Sequence, residues 1–279
     1  MSRHRFTQVD VFADVALAGN ALAVVHDAQP LDDARMAAFA RWTQLSETTY
    51  LLPPDDVRAD YRVRIFTPSA ELPFAGHPTL GSCAAWLAAG GVPRGGGEIV
   101  QQCGVGLVRV RRDGAGLAFA APPLRAAGPL DEALLARIAG WLGVPRADLV
   151  AHQRVDNGPG WVAVMLPSAA AVRALRPDFG GQRDVFLGVV GAEPAGHSTA
   201  FEVRAFFPSA GGMAEDPVTG SLQAGLAQWL IGAGIAPARY VAAQGAALRR
   251  AGRVSVARED GEVWVGGHVS ACIEGVVTL

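Results

Sequence analysis

The feature that most constrains this chain is a set of segments that occur twice. Three pairs of similar segments lie 137 to 140 residues apart: Arg64–Ala70 with Arg204–Ala210, His77–Ser82 with Asp216–Ser221, and Asn20 with Asn157. Because a solenoid would need many copies and only two are present, the near-constant spacing predicts a duplicated domain.

The second copy contains a predicted helix start. The segment Glu215–Ser221 (EDPVTGS) precedes a periodic apolar run, Leu222–Leu230. Residues before proline avoid the helical region, and Pro, Thr and Ser favour helix N-termini. The N–H groups of Gly220 and Ser221 would therefore point out of a helix end, where they could bind a carboxylate. Asp216 would lie beside them as an acceptor or proton carrier, although an ordinary capped helix has the same residues.

Composition excludes several functions. The 279 residues carry a net charge of −2, which gives no electrostatic footprint for nucleic acid. All 24 basic residues are arginine, so a Schiff-base lysine and a Walker-type phosphate loop are excluded. The three cysteines and six histidines show no metal-ligand spacing, so we expect no metal site. Without an apolar span of about 18 residues or a signal-peptide pattern, we expect a cytoplasmic protein that does not enter a membrane.

The order of predicted elements indicates two α+β domains. Strands outnumber helices, and each half has one long helix after a proline-containing loop, the first predicted over Thr79–Ala89. Pro122-Pro123 indicates a boundary between residues 1–121 and 122–279, and whether the C-terminal strands cross back to the first half is left open. Each domain is expected to be a curled sheet about a helix, with the ligand site in the cleft between domains.

Two side chains are candidates for acid/base chemistry. Glu47 lies in a run of hydroxyl and apolar residues, and burial would suit it to accept and return a proton. His77 follows Gly76, and its match to Asp216 predicts a His/Asp pair with one residue from each half. An exposed strand-end glutamate and a structural histidine are the alternatives, and Asn20 is also compatible with a simple turn.

These motifs resemble the phenazine-biosynthesis PhzF-like family, which belongs to the diaminopimelate-epimerase-fold superfamily. The resemblance covers nearly the whole chain. It rests on Asp10–Phe12, Gly19–Ala21, Ser46–Thr49, Glu71–Thr79, Glu215–Ser221, Gln244-Gly245 and Val265–Gly267. It implies two pseudo-symmetric α+β domains, each a β-barrel-like sheet around a central helix, with the active site in the cleft between them. It also implies a homodimer.

The resemblance further implies a cofactor-independent isomerase that moves a proton on a small carboxylate. The name-giving enzyme isomerises trans-2,3-dihydro-3-hydroxyanthranilate, and the glutamate that matches Glu47 moves the proton between ring carbons. The residues that match His77 and Asp216 help place the substrate. Substrate-binding positions carried over to this chain are Asn20, Gly76, Gly220 and Ser221.

Departures from the family pattern leave the substrate and reaction open. Ala21 stands where the family usually has proline, and Asp156–Trp161 differs from the Thr-Gly-containing sequence expected there. Related epimerases use two cysteines, but the corresponding loops carry none, so two-thiol racemisation is not supported. An amino- or hydroxy-acid epimerase with other acid/base groups remains an alternative. So does a non-catalytic small-molecule binding protein.

Overall fold

The computed structural model describes residues 2–114, 116–209 and 211–279, so Ala210, the last residue of one repeated segment, lies outside the described residues. The α-helices are α1 Asp33–Thr43, α2 Gly76–Ala88, α3 Glu132–Leu142, α4 Ala169–Ala174 and α5 Gly220–Gly232. The strands are β1 Arg3–Val11, β2 Asn20–Val25, β3 Glu47–Leu52, β4 Tyr61–Phe66, β5 Glu71–Leu72, β6 Glu98–Cys103, β7 Gly106–Asp113, β8 Gly116–Ala120, β9 Ala126–Gly128, β10 Ala151–Asp156, β11 Trp161–Met165, β12 Phe186–Ala192, β13 Phe201–Ser209, β14 Gly212–Asp216, β15 Arg239–Gln244, β16 Gly252–Glu259, β17 Glu262–Gly267 and β18 Val269–Thr278.

The chain divides into two compact units. Unit 1 contains Met1–Ala120 and Val265–Leu279, and unit 2 contains Ala121–Trp264. The last strand, β18, pairs antiparallel with the whole of β1, so it completes the sheet of unit 1. Mixed parallel and antiparallel pairing with few helices confirms the predicted α+β class.

Both units repeat one strand topology. In unit 1, β1–β2 and β3–β4 are antiparallel, whereas β2–β3 and β4–β6 are parallel. In unit 2, β10–β11 and β12–β13 are antiparallel, whereas β11–β12 and β13–β15 are parallel. The repeated segments of the sequence therefore belong to a duplicated fold.

The longest helix of each unit is its buried centre. Most residues of α2 and α5 are buried, as expected for helices that are apolar on all sides. Each helix approaches its sheet at a glycine. A Cβ at Gly81 would lie 2.6 Å from Leu22 Cδ2, and a Cβ at Gly225 would lie 2.3 Å from the carbonyl oxygen of Val155. Neither position has room for a larger residue without a shift of its neighbours.

The other helices cover the sheets from outside. In unit 1, Met36 and Phe39 of α1 pack in a buried cluster with Tyr50 of β3. In unit 2, Ile138 of α3 and Val172 of α4 belong to a larger buried cluster that also contains residues of β11 and β12. Apolar residues on both faces of these strands are therefore covered.

The structure corrects the register between the two copies. Arg64 forms two hydrogen bonds with Glu71 in unit 1, and Arg204 forms the same pair with Glu215 in unit 2. The arginines are 140 residues apart, but the glutamates are 144 apart, because the β13–β14 hairpin has four more residues between its arginine and its glutamate than the β4–β5 hairpin. The offset that applies beyond this hairpin is therefore 144, not 139.

This shift changes the partners of the candidate residues. Ile65 pairs with Leu72 in unit 1, and Ala205 pairs with Asp216 in unit 2, so the counterpart of Asp216 is a leucine. With α2 starting at Gly76 and α5 at Gly220, the counterpart of His77 is Ser221. The predicted symmetry between His77 and Asp216 is wrong.

The start of α2 was predicted three residues too late. The helix begins at Gly76, so His77 lies in its first turn and Pro78 is its third residue. Proline is tolerated there because the first N–H groups of a helix have no intrahelical acceptor. A proline in this position therefore does not mark the end of the preceding loop.

Candidate active site

Unit 1 brings three of the predicted residues together. Asn20 is the first residue of β2 and Glu47 the first residue of β3, and these strands run parallel, with Leu22 opposite Glu47. His77 follows Gly76 in the first turn of α2, which packs against both strands. Strand starts and helix start therefore meet at one edge of the sheet.

The side chains of this cluster are nearly closed off from solvent. Asn20 Nδ2 lies 3.3 Å from His77 Nδ1, and His77 Nε2 lies 3.2 Å from Glu47 Oε2. The exposed fraction of the side chain is 4% for His77 and 13% for Glu47. A carboxylate and an imidazole thus lie side by side, with the carboxylate the more open of the two.

His77 is neutral in the folded protein. Burial lowers the pKa of its imidazole from 6.5 to about 3, because a charged ring would lose its hydration. The amide of Asn20 donates to Nδ1, so Nδ1 is the acceptor and the ring proton is on Nε2. This tautomer directs the N–H toward the side of the ring on which Glu47 lies.

Among the residues that the structure describes, the Nε2–H group of His77 is buried without an acceptor of ordinary geometry. Although it is close to Glu47, Nε2 makes no hydrogen bond that meets ordinary geometry with any residue in the described ranges. A buried donor without an acceptor is costly, so a ligand oxygen at this point would relieve the cost. The cluster can therefore hold an oxygen atom while a neighbouring carboxylate handles a proton.

Unit 2 fixes Asp216 by a short chain of hydrogen bonds. Thr219 Oγ1 donates to Asp216 Oδ2 at 2.5 Å and accepts from Gln244 Nε2 at 2.9 Å. Gln244 Oε1 in turn accepts from the N–H of Thr219 and from Gln223 Nε2. Asp216 as a whole residue is 8% exposed. Its carboxylate cannot rotate without breaking these hydrogen bonds.

The start of α5 is held by two other side chains. Asn157 Nδ2 donates to the carbonyl oxygen of Ser221 at 2.8 Å, and Trp161 Nε1 donates to Ser221 Oγ at 3.0 Å. An indole N–H can only donate, so the Ser221 hydroxyl proton is left to donate elsewhere. Together with the first N–H groups of α5, beginning at Gly220, it forms a set of donors suited to a carboxylate.

Sequence reasoning found part of these clusters. Asn20, Gly76, Glu47 and His77 meet within unit 1, and Asp216, Gly220 and Ser221 meet within unit 2. It missed the roles of Thr219, Gln244 and Trp161, which hold the predicted residues in place. The sequence contained a signal for two of them. Trp161 ends the segment that departs from the family pattern, and Gln244 lies in a segment that matches the family pattern.

The cysteines are not placed for acid/base work. Burial raises the pKa of the Cys83 thiol to about 12 and also raises the pKa of Cys103. Neither lies in the first turn of α2 or α5. A thiolate pair on opposite faces of a substrate therefore has no counterpart among these residues.

Two absences hold within residues 2–114, 116–209 and 211–279. No helix there combines the length and apolar character needed to cross a membrane. No group of three or more His, Cys, Asp or Glu side chains there has the arrangement of a metal site.

Comparisons with known proteins identify the class to which the fold belongs. Antisense-enhancing sequence 1 from Schizosaccharomyces pombe is 34% identical, covering 99% of both chains. The trans-2,3-dihydro-3-hydroxyanthranilate isomerase of Pseudomonas fluorescens is 35% identical over 80% of this chain and 78% of its own. The structure of a predicted epimerase from Pseudomonas aeruginosa matches with a TM-score of 0.77 and 31% identity, covering 99% of both chains.

This chain is thus an isomerase with the diaminopimelate-epimerase-like fold. The profile of the phenazine biosynthesis-like protein family, PhzC-PhzF, matches residues 9–275. The chain belongs to that family, which confirms the resemblance seen in its motifs.

Proposed function

We propose that this protein is a cofactor-independent isomerase that moves a proton on a small carboxylate, with Glu47 as the acid/base. The observation that carries the proposal is the buried cluster in which Glu47 lies 3.2 Å from a neutral His77. The 35% identity to a trans-2,3-dihydro-3-hydroxyanthranilate isomerase supports a substrate of that kind.

The proposed reaction conserves every atom of the substrate. The Glu47 carboxylate takes a proton from one carbon, and the electron pair of that C–H bond moves into the adjoining unsaturated system. The carboxylic acid then returns the proton to a different carbon, which regenerates the carboxylate. Proton transfer by a positioned side chain supplies about 10²- to 10⁴-fold in rate.

His77 has a supporting role in this reaction. Its Nε2–H would donate to a substrate oxygen that gains negative charge when the proton leaves carbon. Because the donor is already oriented by Asn20 and shielded from water, it would stabilise that charge without reorganisation. Orientation of the substrate supplies a further part of the acceleration.

The start of α5 is the proposed binding position for a carboxylate. Gly220 and Ser221 supply the donors, and Asp216 would accept from a hydroxyl or amine of the ligand. Asn20 and Gly76 are proposed substrate contacts in unit 1. A site in the cleft between domains, a homodimer and a cytoplasmic location stay predictions.

Deuterium incorporation from heavy water tests the proposal. Wild type, Glu47→Gln and the control Glu274→Gln, which changes an exposed carboxylate of β18, would be incubated with trans-2,3-dihydro-3-hydroxyanthranilate and a panel of small amino and hydroxy acids. We expect label or turnover with wild type and the control and its loss in Glu47→Gln. Equal labelling in all three proteins would remove Glu47 from the mechanism.

The same experiment separates isomerisation from epimerisation. The similarity to a predicted epimerase favours testing this second reaction. Label at a stereocentre without migration of a double bond would assign an epimerase, whereas label at a new carbon would assign the isomerase proposed here.

A further inference from the structure

Unit 2 contains a cavity that the proposed reaction does not use. Its volume is about 730 Å³, within the range of small-molecule sites. Four arginines and two glutamates line it, together with short apolar side chains. We call it the arginine cavity because arginines outnumber its glutamates. Its charged residues are Arg173, Arg176, Arg204, Arg249, Glu202 and Glu215.

Internal ion pairs account for only two of these arginines. Glu215 makes two hydrogen bonds with Arg204, at 2.9 and 2.7 Å. Arg173 is shared between Glu202, at 3.2 Å, and Glu193, at 2.5 Å. Both partners of Arg173 are buried: Glu202 in the cavity wall has a side chain 4% exposed, and Glu193, outside the wall, has one 2% exposed.

The remaining two arginines leave the cavity positively charged. Arg176 donates to backbone carbonyls at the end of α4, the shortest contact being 2.8 Å to the oxygen of Leu175. Within the part of the chain that the structure describes, neither Arg176 nor Arg249 forms an ion pair with a carboxylate. Two guanidinium groups therefore border the cavity without an anionic partner.

At the corresponding position of unit 1, the arginine has two carboxylate partners. Arg64, the counterpart of Arg204, binds Glu71 and also Asp33, the latter at 2.5 Å. Asp33 is the first residue of α1, and the first residue of α4 is Ala169. Unit 1 thus surrounds its arginine with two carboxylates, whereas unit 2 lacks the second one.

A longer loop in unit 2 builds one wall of the cavity. In unit 1, Cys103 pairs with Gly106, which leaves two residues between β6 and β7. In unit 2, Gln244 pairs with Gly252, so residues 245–251 form the connection. This extra length contains a short 3₁₀ turn and places Arg249 at the cavity.

We propose that the arginine cavity binds a small organic oxyanion, with its carboxylate or phosphate group held by Arg176 and Arg249. Guanidinium groups match both acid groups in geometry, and the apolar side chains of the cavity would contact the rest of the ligand. Successive residues of a strand face opposite sides, so Glu215 and the cavity lie on the side of β14 away from Asp216. The cavity is therefore separate from the carboxylate position at the start of α5.

Calorimetric titration at low ionic strength tests this inference, with inorganic phosphate and succinate as probes. We expect saturable binding of one probe or both to wild type, and the stronger of them identifies the preferred acid group. In Arg176→Gln and in Arg249→Gln we expect affinity to fall about ten-fold or more, because each loses a charged hydrogen-bond donor.

The control is Arg183→Gln, which removes the same charge from unit 2 at an exposed position outside the cavity. It should bind the probes as wild type does, and thermal unfolding of all variants shows that they remain folded. The inference is overturned if wild type binds neither probe saturably. Equal affinity in the cavity variants and the control would overturn it as well.

Discussion

The starts of α2 and α5 show how one backbone arrangement can hold two kinds of chemistry. Both follow a hairpin whose two strands are joined by an Arg–Glu pair, and both have an asparagine whose amide reaches the second residue of the helix. In unit 1 that second residue is His77, and in unit 2 it is Ser221. The shared contacts maintain the shape, and the residues between them are free to differ.

The neighbouring strand differs in the same way. Glu47 pairs with Leu22 at the start of β3, and the matching start of β12 has Phe186 opposite Trp161. Unit 1 thus combines a carboxylate with an imidazole, whereas unit 2 combines an aromatic pair with a hydroxyl. In the function proposed above, proton transfer therefore belongs to unit 1 and carboxylate binding to unit 2.

Giving unit 1 the residue of unit 2 should have the largest effect. In His77→Ser, the oriented Nε2–H beside Glu47 is lost, and we expect the rate of substrate deuteration to fall about a hundred-fold or more. The exposed His197→Ser is the control. Unchanged rates in a folded His77→Ser would show that the histidine is structural only.

The two buried glycines should differ in tolerance to a methyl group. Gly225→Ala would press on the backbone oxygen of Val155, which cannot move aside, and should lose about 2–3 kcal/mol in urea denaturation. Gly81→Ala meets only side-chain methyl groups and should lose about 1–2 kcal/mol.

The control for both is Gly140→Ala in the last turn of α3, where a Cβ meets open space. It should be neutral or stabilising by up to about 1 kcal/mol, because alanine favours helix more than glycine does. A Gly225→Ala protein as stable as wild type would contradict the close approach of α5 to β10.

At the second residue of the two helices, only unit 1 should make stability depend on pH, because Ser221 of unit 2 does not titrate. The pKa of His77 is lowered from 6.5 to about 3, so above pH 6.5 its titration does not change the free energy of unfolding. As the pH falls from 6.5 toward 3, the unfolded state binds a proton at this histidine and the folded state does not, so the free energy of unfolding decreases. At pH 5 the loss should be on the order of 1–2 kcal/mol.

Urea denaturation at pH 7 and pH 5 measures this loss, and His77→Gln is the comparison. The variant should lose less stability than wild type between the two pH values. Parallel losses in both proteins would mean that other groups govern the acid side and that His77 takes up its proton at its ordinary pKa.

The smallest effect should come from the indole that holds Ser221. Trp161→Phe keeps most of the ring volume but removes the N–H donated to Ser221 Oγ, so we expect KM for the substrate to rise about five-fold with kcat little changed. Trp141→Phe in α3 is the matched control. A fall in kcat without a change in KM would place Trp161 in the chemical step instead.

Much of this arrangement could be predicted from the sequence because the motifs are local. The helix start at Gly220 follows from Pro217 and the small residues after it. Glu47 was a candidate because of its surroundings, whereas His77 was chosen in part through a match to Asp216 that the structure does not support. The register between halves could not be found in this way. The similarity of His77–Ser82 to Asp216–Ser221 concealed a four-residue difference in the length of the preceding hairpin.

Contacts between distant segments were also beyond prediction. Trp161 and Ser221 are separated by 60 residues, and Thr219 and Gln244 by 25. Their hydrogen bonds depend on how strands are ordered in the sheet, which no local pattern encodes. The arginine cavity has the same origin, since its residues come from α4 and the segment after it, β13, β14 and the loop after β15.

The pairing of β1 with β18 has a consequence during synthesis on the ribosome. All of unit 2 is made before β18 exists, so β1 must wait with one edge unpaired while unit 2 already has every strand it needs. An open strand edge invites association with other nascent chains. Arg3 and Arg5, both exposed on β1, place charge along that edge and would discourage such association until the last strand arrives.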